Sequence, residues 1–109
     1  MQEIVLETWK EENQRRFSGK EVRRILGVRT RDTLIKDREA AGIIPPYTLP
    51  KLVEILKVRL YLNANTGVHS RESYKRLRNQ PKLLELKFRS FGISIEEELM
   101  RILKNANHA

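Results

Sequence analysis

The sequence predicts a mainly α protein built from short helices, and three observations carry that prediction. Apolar residues recur at helical spacing through most of the chain, as at Val22, Ile25 and Leu26. Helix-opening pairs, Ser18 with Glu21 and Ser94 with Glu97, stand three residues apart, while Gly27, Gly42 and Gly92 sit where helices should stop. Finally, 22 lysines and arginines outnumber 14 acidic residues, and they cluster on the short helices near the start of the chain. At 109 residues the chain is one domain's worth, enough for a modest core.

Residues 1 to 16 are expected to form an N-terminal helix or arm whose apolar patch is Ile4, Val5, Leu6 and Trp9. Glu7, Glu11 and Glu12 would repel phosphate, so Trp9 reads as a core or interface plug and the acidic face as a place for a protein partner. After Phe17, the Ser18 hydroxyl and the Glu21 carboxylate form a capping box, and Val22, Ile25 and Leu26 make one apolar stripe ending at Gly27. Thr30 then caps a second helix over about 31 to 41, which Gly42 ends ahead of Pro45-Pro46.

Stepping 100° per residue from an inward Leu34, Ala41 also faces the core, whereas Asp32, Thr33 and Lys36 point away. A major groove admits one helix, read by side chains near its N-terminus, so Arg29, Arg31, Asp32, Thr33 and Lys36 are the predicted base-reading residues. Arg31 and Lys36 could donate to guanine, Asp32 accept from cytosine, and Thr33 touch a thymine methyl or a phosphate. Lys20, Arg23, Arg24, Thr30, Arg38, Tyr47 and Lys51 suit phosphates, with Arg71 and Lys75 further on. The same residues also fit a solvated basic face on a small helical protein.

From Phe17 to about Leu62 the chain resembles the MerR family of winged helix-turn-helix regulators. The matching residues are Phe17, Leu26-Gly27-Val28, Thr33-Leu34 and Gly42-Ile43-Ile44, followed by Tyr47-Thr48-Leu49 where the family has a wing element and by a leucine-rich helix from Pro50 to Leu62. The resemblance implies a winged helix-turn-helix over 17–66 with a short wing, little more than Ile43 to Tyr47, that binds double-stranded DNA. The chain departs from the family in three ways. The interval from Thr33 to Gly42 is one residue longer, the wing is cut down, and Ile35-Lys36-Asp37 replaces an aromatic pair. With no long dimerisation helix and no ligand-binding C-terminal part, the resemblance implies a reduced member that senses no small molecule and carries no cofactor or metal.

Residues 67–109 are expected to form additional C-terminal helices and to dimerise. The preceding helix, 50 to 63, is apolar on nearly all sides, so it should lie between two surfaces, the reader on one side and the C-terminal helices or a second copy on the other. Gly67 breaks the chain, Ser70 is expected to cap a helix to about Asn79, and Pro81 opens another that ends at Gly92. The Ser94–Glu97 pair opens the last helix, with fraying after Asn105. Leu56, Leu60, Leu84, Phe88, Phe91, Leu99, Ile102 and Leu103 are the predicted core or dimer-interface residues. Residues Leu84 to Ala106 are also similar to the second half of ribbon-helix-helix antitoxins, although such a unit needs a preceding strand and Pro81 lies about one helical turn too close to Gly92.

Net charge is +8 with a pI near 10.1, which calls for an anionic partner. Residues 15 to 38 hold nine basic against three acidic residues and 67 to 92 seven against two, whereas 1 to 14 hold one against four. Two basic blocks suggest one continuous footprint on DNA. No cysteine is present, which removes disulfides and thiolate metal sites and fits a reducing cytoplasm, with the protein at the nucleoid. No apolar run reaches the roughly 18 to 20 residues of a membrane helix, and the acidic N-terminal stretch does not read as a signal peptide. His69 and His108 lack a second ligand or base at a useful spacing, and Glu96-Glu97-Glu98 suits the first turn of a helix, so no enzyme is predicted. The expected function is sequence-specific binding of double-stranded DNA by a small homodimeric transcriptional repressor or a mobile-element or plasmid accessory regulator. The alternative is a scaffold or adaptor, associated with partition or filaments, that binds DNA as one of its contacts. RNA binding is disfavoured by the few aromatics and the lack of a base-stacking motif.

Overall fold

The computed structural model describes residues 16–107, so the expected N-terminal helix with Trp9 and its acidic face lies outside the described residues. Within them the protein is mainly helical: α1 (Gly19–Leu26), α2 (Arg31–Ala41), α3 (Leu49–Ala64), α4 (Ser70–Leu77), α5 (Pro81–Ser90) and α6 (Ile95–Asn107). The local chemistry that sets the first two is in place. Ser18 Oγ accepts from the Glu21 amide at 3.2 Å while Glu21 Oε1 accepts from the Ser18 amide at 3.2 Å, which satisfies two of the orphan donors of α1. Gly27 ends α1 at φ 70°, in the left-handed region that other residues enter only with strain. Thr30 Oγ1 accepts from the Thr33 amide at 3.2 Å to open α2, and Gly42 closes it at φ 71°.

Two local expectations are corrected. The segment over 43 to 47 is no wing: among the described residues there is no strand, only a single antiparallel bridge in which the Phe17 amide donates to the Tyr47 carbonyl at 2.8 Å. Pro45 and Pro46 have no amide hydrogen to give a ladder, so the loop ties back to Phe17 through one residue. Ser70 is the first residue of α4 and not its cap. Its amide closes a turn onto the Gly67 carbonyl at 3.1 Å, and the cap position falls on His69, whose side chain makes no capping bond.

Helix α3 is buried on nearly all sides, as its composition demands, and it separates two cores. Its first half packs with Val22, Ile25 and Leu26 of α1, Leu34 of α2 and Ile102 of α6, around Leu49, Leu52, Ile55 and Leu56. Its second half, through Val58 and Tyr61, packs with Ala40, Tyr74, Leu84 and Phe88. The second surface that α3 requires is therefore supplied by the same chain. Leu56, Leu84, Phe88 and Ile102 are buried inside the protomer, and Leu60, Phe91 and Leu99 are half-buried against the cores, which leaves none of these seven as an open dimer face. The Leu103 side chain lies outside what is described. Helix α6 returns to α1, where Arg101 Nη1 donates to the Ile25 carbonyl at 3.4 Å. No helix among the described residues is long and apolar enough to cross a membrane.

Candidate nucleic-acid interface

Helix α2 turns Leu34, Asp37 and Ala40 inward, and this fixes what its opposite side offers. Arg31, Asp32, Lys36 and Glu39 are exposed there, around a half-buried Ile35, and Arg29 is exposed in the turn that precedes the helix. Four of the five predicted base-reading residues thus share one open end of the α1–α2 pair. Thr33 does not join them. It is half-buried at the edge of the packed stripe, and its hydroxyl lies in a short hydrogen bond with Thr30 Oγ1. Ile35 and Glu39 occupy the middle of the outward face, a placement that the 100° step from Leu34 already implies.

Beside that face, α1, α2 and Tyr47 enclose a cleft of about 400 Å³. Lys20 and Arg23 of α1 line it together with Arg31 and Arg38 of α2, and Gly19 brings the amide end of α1 to the same place. Four cations around one concavity suit an anion, and the amide end of a helix adds to the same field. Arg31 therefore stands with the expected phosphate contacts as well as at the reading end of α2. Arg24 and Thr30 are exposed.

The remaining expected phosphate contacts divide. Tyr47 is 6% exposed, and its hydroxyl accepts from Arg38 Nη1 at 3.1 Å, so it braces an arginine from beneath. Lys51 Nζ donates to the Ile44 carbonyl at 2.9 Å and steadies the loop that precedes α3. Lys75 is exposed on α4. Arg71 is turned inward, where Nη2 donates to Asp37 Oδ1 at 3.3 Å, and Arg59 of α3 donates to Asp37 Oδ2 at 2.5 Å.

Asp37 is 0% exposed and is the feature that sequence reasoning missed. Burial pushes its carboxyl above the ordinary range, against the pull of Arg59 and Arg71. The pair of bonds locks the inner side of α2 to α3 and α4, which holds the outward face at a fixed angle to both. The available signal was positional. Asp37 follows Leu34 by three residues and precedes Ala40 by three, which puts it on the buried stripe.

The chain matches no protein-family model, no curated protein and no solved structure.

Proposed function

We propose that the protein is a sequence-specific binder of double-stranded DNA, acting as a homodimer in the way of a small repressor or a mobile-element or plasmid accessory regulator at the nucleoid. The observation that carries this reading is the juxtaposition at the α1–α2 pair: Arg31, Asp32 and Lys36 on one open helix face, directly beside a cleft walled by Lys20, Arg23, Arg31 and Arg38. A helix-turn-helix reader needs both parts, a face that reaches base edges and cations that fix its register on the backbone. On this reading α2 is the recognition helix of a MerR-like domain reduced to its helices, with the Phe17–Tyr47 bridge standing where the family has a wing. Asp32, Lys36 and Arg29 read bases, Lys20, Arg23 and Arg38 hold phosphates, and Arg31 serves at the boundary of the two.

The test is selection from a random duplex library at about 150 mM salt, where phosphate contacts alone bind weakly. Wild-type protein should enrich a two-fold symmetric motif, and the Asp32→Ala, Lys36→Ala double variant should lose that preference while keeping salt-dependent affinity. Arg23→Ala should weaken binding to all duplexes alike and lower the salt slope by about one. Binding without sequence preference, or none, would reject the reading in favour of an adaptor whose main partner is a protein.

A further inference from the structure

Ile35 is the large apolar residue of α2 that the cores do not use. Among the described residues it alone, of the half-buried large apolar side chains, packs against neither core. The others rest on one or both, as Ile43 and Leu99 do on the first and Leu77 and Phe91 on the second. Its register on the helix is the reason. With Leu34, Asp37 and Ala40 turned inward, steps of 100° carry Ile35 and Glu39 to the centre of the opposite face. Arg31 and Glu39 stand four residues to either side of Ile35, and Asp32 and Arg38 three, so the isoleucine is ringed by charge on the helix surface. A β-branched residue is also a weaker helix former than the alanine, lysine or glutamate that suits an outward position, so local helix stability does not call for isoleucine there.

The same side chain forms part of the wall of the cleft between α1 and α2, together with Lys20, Arg23, Arg31 and Arg38. Whatever meets Ile35 must therefore be anionic close by and apolar at one point. A DNA duplex has that combination. Its phosphates flank the major groove, whose base edges are hydrogen-bonding groups except for one apolar group, the C5 methyl of thymine. When the cations of the cleft lie along a backbone, the centre of the outward face of α2 is turned to the groove floor.

We infer that Ile35 is a specificity-determining residue that packs on the C5 methyl of one thymine in each half-site. Arg31 and Asp32 beside it address the hydrogen-bonding edges of neighbouring base pairs, and Arg38 stays with the phosphates. Cytosine in place of that thymine presents an amino hydrogen and no methyl, which leaves the isoleucine against a polar edge with no partner for it. Burial of one methyl is worth about a fourfold change in affinity per half-site. This role rests on α2 being the recognition helix of the proposed function, and it names the base that the centre of that helix selects.

The test begins in the DNA and leaves the protein intact. From the motif that wild-type protein enriches, each thymine of one half-site is replaced in turn by deoxyuridine, which lacks only the methyl, and affinity is measured at about 150 mM salt. At one position the replacement should weaken wild-type binding about fourfold. Ile35→Ala should bind the thymine and deoxyuridine duplexes equally well, because the methyl and the isoleucine count as a coupled pair. Its own selected motif should lose the thymine and keep the other positions, and its thermal melt should stay close to that of wild type, since the side chain supports neither core. Wild-type protein indifferent to deoxyuridine at every thymine overturns the inference. So does a motif without thymine, or an Ile35→Ala protein that still loses the same factor on deoxyuridine. A variant that melts lower and weakens on both duplexes while keeping that factor assigns Ile35 to packing alone. In each of these cases an enriched motif leaves the DNA reading standing, whereas selection that enriches nothing rejects that reading and the role of Ile35 together.

Discussion

The two halves of α3 serve cores of different chemistry. Around Leu49 to Leu56 the helical partners, from α1, α2 and α6, are aliphatic, with Phe17 and Tyr47 beside them, and α1 and α2 are set by side-chain caps and glycine stops. Around Val58 to Tyr61 aromatic rings join Ala40 and Leu84, and Tyr61 meets Tyr74, Phe88 and Phe91 edge-on at ring separations of 5.7, 6.3 and 5.8 Å. Edge-to-face pairs add to area burial. This half also carries the polar exceptions: the Asp37 carboxyl between two guanidiniums, and the Tyr74 hydroxyl, buried with no hydrogen-bond partner among the described residues. The difference teaches a division of labour. The aliphatic core provides stability through area and shape, and the aromatic core, with its ion pairs, provides a fixed orientation between α2 and the C-terminal helices.

The comparison breaks most completely in the aliphatic core. Ile102 is fully buried there, and Ile102→Ala should cost about 3 to 4 kcal/mol by urea denaturation, with α6 released from α1. Next comes Gly42→Ala, which should cost about 2 kcal/mol, because alanine is strained at φ 71° and its Cβ would stand 2.6 Å from Arg78 Nη1, pushing that group off the Ala40 carbonyl. Asp37→Ala removes the acceptor of two guanidiniums that partly reach solvent and should cost about 1 to 2 kcal/mol. If orientation is the main role of that ion pair, Asp37→Ala should also lower duplex affinity at temperatures well below its melt. A change that sharpens the contrast is Tyr74→Phe, which deletes a buried, unpartnered hydroxyl and should raise stability by about 1 kcal/mol. The smallest effect is a pH dependence. The Asp37 carboxyl binds its proton more tightly folded than unfolded, so its contribution is complete below the unfolded value of 3.8 and declines as pH rises toward the higher folded value. The stability of wild type relative to Asp37→Asn should therefore fall across that window, and equal slopes for the two proteins would exclude the effect.

Helix bounds in the first core were legible because their causes are local. Ser18 with Glu21, Thr30, Gly27 and Gly42 act within four residues of the groups they satisfy. The Asp37 network was not legible, since its partners stand 22 and 34 residues away and nothing near Asp37 announces them. The same distance explains Arg71, a cation by composition that is directed inward by a carboxylate on another helix. Tyr47 was read by likeness to a wing, whereas Pro45 and Pro46 just before it leave only a bridge. At the candidate interface, Lys20, Arg23, Arg31 and Arg38 were individually visible, but their convergence on one cleft depends on how α1 crosses α2, which is set by Val22, Ile25 and Leu34 packing on α3.

The return of α6 to α1 bears on how the protein is made. Arg101 and Ile25 lie 76 residues apart, so the first core is finished by a segment synthesised well after α1. At about 5 to 20 residues per second the α1–α2 pair waits several seconds for the helix that completes its packing. A nascent chain stopped before Leu99 should therefore lack a settled reading face, and the proposed grip on DNA follows only once α6 has emerged.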